Sequence, residues 1–281
     1  MGPSLVQLSD PHVTARGRPL LAGRIDTPAG LAAAVAAVGA LRPQPQAVLL
    51  SGDLTERGRA DEYAHLRELL APLDALAIPA WLMPGNHDDV DALRAAFPDH
   101  PELAPDPDPM LAGFVLWERM LAGPSDRPAL RLLALDSVVP GASAGALCAA
   151  RLDWLACRLD EAPAVPTIVA LHHPPFASGI GHMDAIALGE GADGLQAMLR
   201  RHPQVQRLVC GHLHRAMSTV VGGVPAMSAP STAHQMVPDL RMDGPAAWRM
   251  EAPGMLWHAM VGGTLVSHVV AIGDHGDEGR Y

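Results

Sequence analysis

The sequence predicts an α/β fold, and three observations carry that expectation. Short apolar runs of strand length alternate with longer helical stretches. Five of those runs end in polar clusters that contain Asp, Asn or His. In α/β sheets functional groups gather at the carboxyl ends of strands, so a sheet would bring these dispersed clusters into one cleft. The chain has 281 residues, 49% hydrophobic and 18% charged, enough for a large buried core.

Residues 5–8 form an apolar run ending in Ser-Asp-Pro and read as a strand. Thr27 as N-cap and Pro28 at the first helical position start a helix that continues through residue 41. Residues 47–50 make a second strand, ending in Ser51-Gly52-Asp53, and residues 61–73 are amphipathic and helical. Residues 80–83 run into Pro84-Gly85-Asn86-His87-Asp88, and residues 90–97 read as a short helix. Residues 98–110, rich in Pro and acids, read as a surface excursion. Residues 130–135 end at Asp136-Ser137, residues 167–171 at His172-His173, and residues 207–210 at Gly211-His212-Leu213-His214. Helices are expected over 149–159 and 194–201 between them. Residues 220–224 and 265–272 read as antiparallel strands joined by turns. Residues 234–257 carry Met, Pro and Trp without a period and read as a flap or an oligomer contact. The chain thus divides into a main α/β domain over 1–235 and C-terminal strands with a flap over 236–281, a cap or oligomer contact packed on the core.

Charge and composition remove several functions. The formal net charge is -10, which argues against binding a nucleic-acid polymer or an anionic membrane. All 20 basic residues are Arg. Without an amine there is no Schiff base, no lysine general base and no lysine-bearing phosphate loop. Fourteen histidines point instead to metal or acid–base chemistry. Three cysteines, Cys148, Cys157 and Cys210, fit no disulfide framework, so a reducing cytoplasm is expected. The first residues show no signal-peptide pattern, and the longest apolar run, 31–41, is about half of the ~20 residues a membrane span needs.

The clusters have a common chemistry. Asp10 and His12 lie two residues apart, on one side of an extended backbone, and could share a cation. Gly52 permits a tight turn before Asp53, whose two oxygens could bridge two cations. Asn86 offers an amide oxygen, and His87, His172, His173, His212 and His214 offer imidazoles. This N/O set without thiolate suits Fe, Mn, Zn or Co.

In order, the blocks are Asp10-Pro11-His12, Gly52-Asp53, Gly85-Asn86-His87-Asp88, His172 and Gly211-His212-Leu213-His214. On these blocks the chain, over roughly residues 4–235, resembles the calcineurin-like binuclear metallophosphoesterases. His172-His173-Pro174-Pro175 and Thr232-Ala233-His234-Gln235 resemble the bacterial class III cyclic-nucleotide phosphodiesterases and related glycerophosphodiesterases in particular. The resemblance implies a four-layer αββα sandwich of two mixed β-sheets flanked by helices. It implies two divalent or trivalent ions, one held by Asp10, His12 and His214, the other by Asn86, His172 and His212, with Asp53 between them. His173 is the adjacent alternative to His172. His87 would be catalytic, touching a phosphate oxygen or the leaving group, and His173, Ser137 and His234 would contact substrate. Arg57 and Arg215 could bind substrate phosphate or remain solvated. The remaining histidines, His275 among them, read as surface or packing residues.

The implied function is hydrolysis of small phosphodiesters, 3′,5′-cyclic nucleotides such as cAMP or glycerophosphodiesters, by in-line attack of a metal-bound hydroxide. The alternatives are a phosphomonoesterase or nucleotide pyrophosphatase with the same site, and a metal-free interaction scaffold; a scaffold would have lost ligands, and no block is missing. A homo-oligomer is expected from the resemblance.

Overall fold

The computed structural model describes residues 2–123 and 129–273; His275 lies outside them. The first strand, β1 (Ser4–Leu8), is buried along its whole length. It can be, because it pairs on both edges: parallel with β2 (Ala47–Ser51) and antiparallel with β12 (Gly254–Val261). With β3 (Ala80–Met83) and β13 (Thr264–Ala271) these strands form one mixed sheet in the order β13-β12-β1-β2-β3. Helices α1 (Thr27–Ala40), α2 (Ala60–Ala75) and α3 (Val90–Ala96) share its hydrophobic core through residues such as Val35, Leu66 and Leu93.

The second sheet runs β4 (Leu116–Leu121), β5 (Leu130–Leu135), β6 (Thr167–Ala170), β7 (Val205–Cys210), β9 (Val224–Ser228), β8 (Met217–Val221). Its four middle strands are parallel and both edges antiparallel. Residues of β5 alternate between two cores, as strand geometry requires. Leu130, Leu132 and Ala134 pack toward the first sheet. Leu133 and Leu135 pack with α4 (Ala149–Glu161) and α6 (Ala192–Arg201). The result is helix, sheet, sheet, helix: a four-layer sandwich of two mixed sheets. A single turn, α5 (Gly181–Asp184), and a short ribbon of β10 (Gln235–Met236) with β11 (Trp248–Arg249) stand beside it. No described helix is long and apolar enough to cross a membrane.

Three local features differ from the sequence expectations. The N-cap of α1 is Asp26, whose carboxylate accepts from Ala29 N at 3.0 Å. Thr27 instead spends its hydroxyl on the His12 carbonyl at 2.8 Å, tying the helix start to the loop after β1. The strand β4 carries no alternation legible in its sequence. It supplies Glu118 to the buried Arg131 guanidinium at 2.7 and 2.8 Å, a pairing whose loss would leave a buried charge at a cost of about 3–5 kcal/mol. The third is β12, which the aperiodic stretch before it concealed.

Behind the strand ends runs a buried polar chain. Gln7 donates to Ser51 Oγ at 2.8 Å and to the Cys210 carbonyl at 3.0 Å, joining the two sheets. His258 faces Gln7 Oε1 at 3.4 Å and Ser267 Oγ at 2.7 Å. Burial pushes the His258 imidazole down to about 3. Below pH 6.5 the unfolded chain therefore takes up a proton that the folded chain refuses, so stability falls with pH from there toward pH 3. His258→Gln should flatten that fall by about 2 kcal/mol between pH 7 and pH 5 in urea unfolding; parallel curves for both proteins would contradict it.

Candidate metal centre

Five strands deliver the predicted residues to one edge of the sandwich. Asp10 and His12 follow β1, Asp53 follows β2, Asn86 and His87 follow β3, His172 and His173 follow β6, and His212 and His214 follow β7. The backbone is not extended there, contrary to the reading of Asp10 and His12. Asp10, His12, Asp53, His212 and His214 all have φ between 44° and 67°, five of the seven non-glycine residues with positive φ among those described. Such backbone costs of order 1–3 kcal/mol per residue and persists where the surroundings over-determine it. Here they do: His212 N donates to the Asp10 carboxylate at 2.9 Å, and His87 N donates to Asp53 Oδ1 at 2.9 Å.

Asp10, His12, Asp53 and His214 bring donor atoms within 4.8 Å of one another. So do His172, His173 and His212. Asp53 lies between the groups: its Oδ2 is 3.5 Å from His12 Nε2 and 3.4 Å from His172 Nε2. Asn86 Oδ1 sits 3.2 Å from His172 Nε2.

The imidazoles are oriented for ligation. His172 Nδ1 donates to the Ser51 carbonyl at 2.8 Å, and His214 Nδ1 to the His234 carbonyl at 3.1 Å. His12 Nδ1 donates to Glu56 Oε2 at 3.1 Å. Carbonyl and carboxylate oxygens only accept, so each Nδ1 carries a proton and each ring turns its Nε2 inward, the atom whose lone pair is free for a cation once it has no proton. His12 Nε2 and His214 Nε2 face each other at 3.0 Å, which only a shared proton or a cation relieves. His212 Nε2 is buried with no hydrogen-bond partner. Inward lone pairs, two buried carboxylates and an orphaned imidazole nitrogen fit a dinuclear metal site.

The electrostatics agree. Burial, reinforced by the neighbouring rings, holds His212 well below the usual imidazole value and His214 at about 3, keeping both neutral. Burial would raise Asp53, but the charges of His172 and His12 hold it well below the ordinary carboxylate range. Against its own desolvation, His172 is pushed up to about 9 by that carboxylate.

The substrate-side residues separate. His87 is at the surface of the cleft, its Nδ1 donating to the Glu56 carbonyl at 2.8 Å. His234 lines the same cleft, 4.7 Å ring to ring from His214. Ser137 and His173 lie behind it, fully buried: Ser137 Oγ meets His173 Nδ1 at 2.8 Å, and His173 Nε2 meets the Ser143 carbonyl at 3.2 Å. Arg215 is occupied elsewhere, donating to the Met236 carbonyl at 2.6 Å and pairing with Glu251 at 3.1 Å.

Two positioning residues escaped the sequence reading. Glu56 touches both His12 and, at 3.8 Å, His87; its signal was an acid three residues past Asp53. Asp88 accepts from Leu54 N, Thr55 N and Gly85 N at 2.9–3.1 Å, pinning the Asp53 loop to the Asn86 loop; its signal was its place directly after His87.

The calcineurin-like phosphoesterase profile matches residues 3–216, and the chain belongs to that family. It is 35% identical over 269 residues to the glycerophosphodiester phosphodiesterase GpdQ of Enterobacter lignolyticus, covering 94% of this chain and 89% of that one. It is 32% identical over 256 residues to the 3′,5′-cyclic adenosine monophosphate phosphodiesterase CpdA of Pseudomonas aeruginosa, covering 90% and 84%. A dimetal phosphatase from Danio rerio shares the fold at a TM-score of 0.68 and 15% identity, over 96% of both chains.

Gly85 is where the two loops touch most closely. A Cβ there would collide with Asp53 N and Oδ1 and approach His172 Cε1. Gly85→Ala should therefore lose bound metal, read by elemental analysis, while circular dichroism stays native. Gly113→Ala, whose Cβ would meet nothing, is the control. Full metal content in Gly85→Ala would contradict this packing.

Proposed function

We propose that this chain is a metal-dependent phosphodiesterase for small diesters. The observation that carries the reading is the Asp53 carboxylate set between two inward-facing imidazoles, a geometry suited to joining two cations. Asp10, His12 and His214 would hold one ion, and Asn86, His172 and His212 the other. His172 is favoured over His173 because its Nε2 faces the candidate ligands Asp53 and Asn86, whereas the ring nitrogens of His173 face Ser137 and the Ser143 carbonyl. Fe, Mn, Zn and Co all accept these donors. When bound, such a pair supplies Lewis-acid charge to the phosphoryl oxygens and a nucleophilic water at neutral pH.

The chain's own residues do the rest. Glu56, the Ser51 carbonyl and the His234 carbonyl fix the tautomers of three ligands. With its Nδ1 anchored on the Glu56 carbonyl, His87 turns Nε2 to the departing alkoxide, where it delivers a proton. His234 borders the substrate. The relatives named for glycerophosphodiesters and cyclic AMP support a diester over a monoester. The unpaired cysteines support a cytoplasmic setting. Exposed Leu240, Met242, Val261 and Val269 support a homo-oligomer contact through the C-terminal segment.

Asp53→Ala should lose both bound metal and turnover; a variant with full activity sinks the bridging role. His87→Ala should keep its metal and lose turnover roughly 100-fold; metal loss would make His87 a ligand. Wild type should prefer bis(p-nitrophenyl) phosphate to p-nitrophenyl phosphate, lose activity to a chelator and regain it with metal. A monoester preference would overturn the diesterase reading.

A further inference from the structure

The cleft over the metal centre is a cavity of about 350 Å³ whose floor and wall differ in chemistry. The floor is the His/Asp cluster. The wall is apolar: Leu20, Met183, Ile186, Met236 and Trp248. Among the described lining residues there is no Arg, so nothing there answers a second anionic group.

The wall is held in place. Met236 of β10 pairs directly with Trp248 of β11. The Met236 carbonyl accepts from Arg215, and Glu251, just past β11, pairs with Arg215 at 3.1 Å and Arg249 at 3.2 Å. The His234 carbonyl accepts from His214, so the ribbon starts at a metal-ligand candidate. The Trp248 indole stands 6.2 Å from the His234 ring, centroid to centroid. A second polar signal lies in the same lining: His182 Nε2 is buried and has no hydrogen-bond partner.

We propose that this wall selects diesters whose alcohol arm carries a planar heteroaromatic ring, which packs on Trp248 and turns a polar edge to His182. The proposal rests on the diesterase reading, since it needs the phosphorus over the floor. The physical reason is complementarity. A glycerol arm would press hydroxyls against Met, Ile and Trp, where few partners could replace their water. A flat ring buries apolar area on indole and thioether, and its edge gives His182 Nε2 the partner it lacks. Ring–aromatic stacking is strong enough to set preference between two diesters that share one phosphate geometry.

The test compares 3′,5′-cyclic AMP with glycerophosphoethanolamine on metal-loaded protein. Trp248→Ala should lower the ratio of kcat/KM for the cyclic nucleotide over the glycerol diester roughly tenfold, mainly through KM, and Trp248→Phe should restore most of it. Calorimetric titration with AMP should show weaker binding in both Trp248→Ala and His182→Ala. An unchanged substrate ratio in a folded, metal-replete Trp248→Ala overturns the proposal while leaving the diesterase reading intact. If wild type hydrolyses neither diester, that reading fails instead. The AMP titration then decides the ring platform by itself: equal affinity in wild type and Trp248→Ala overturns it.

Discussion

Everything at the functional edge depends on one carboxylate. Asp53 is 2% exposed, and its Oδ2 lies about equally far from an imidazole of each ligand group. A charge buried that deeply is tolerated only with partners of opposite sign. The protein's own partner is His172, and that pairing sets the opposed shifts of the two groups. The neutral His212 and His214 beside them cannot share the task as cations. They can share it as ligands. The same burial that removes their protons leaves lone pairs where a metal ion would find them.

The sandwich exists to hold that arrangement against its own strain. Five ligand candidates sit in left-handed backbone, which is strained for any residue with a Cβ. They hold because each turn is tied to a turn from another strand. Asp10, after β1, receives His212 N, after β7, and Asp53, after β2, receives His87 N, after β3. The Gln7 amide, joined to β2 and β7 at once, sets the spacing of the two sheets below the site. Glycine at 85 lets the loops approach closer than any side chain would permit.

These facts explain which parts were legible beforehand. The strands β1, β2, β5 and β6 showed as apolar runs because each lies inside its sheet and is buried along its whole length. The donor blocks showed because Asp, His and Asn at strand ends have few other uses. Pairing was hidden where it joins distant segments: β12 lies beside β1 across about 250 residues of chain, and no local period announces a partner that remote. The strand β4 was hidden because its Glu118 and Arg119 serve ion pairs and not alternation. Asp26 does not stand out as the α1 cap because Thr27 is an equally good cap by type, and only the structure shows the Thr27 hydroxyl drawn to the His12 carbonyl. Depth was not legible either: Ser137 and His173 follow strands like the others, yet they bond to each other behind the cleft.

Part of what was hidden lies across a division inside the molecule. The family profile ends at residue 216, just beyond His214, and so contains every metal-ligand candidate. His234 and the ribbon carrying Met236 and Trp248 lie outside it and form part of the cleft's wall. Metal ligation tolerates few residue types at few spacings, so it leaves blocks that one sequence can display. A wall that recognises the alcohol arm is bound only by shape and polarity, which Met, Leu and Trp satisfy in many orders. Its meaning becomes readable only when Trp248 is seen across from Met236, over the His and Asp side chains of the floor.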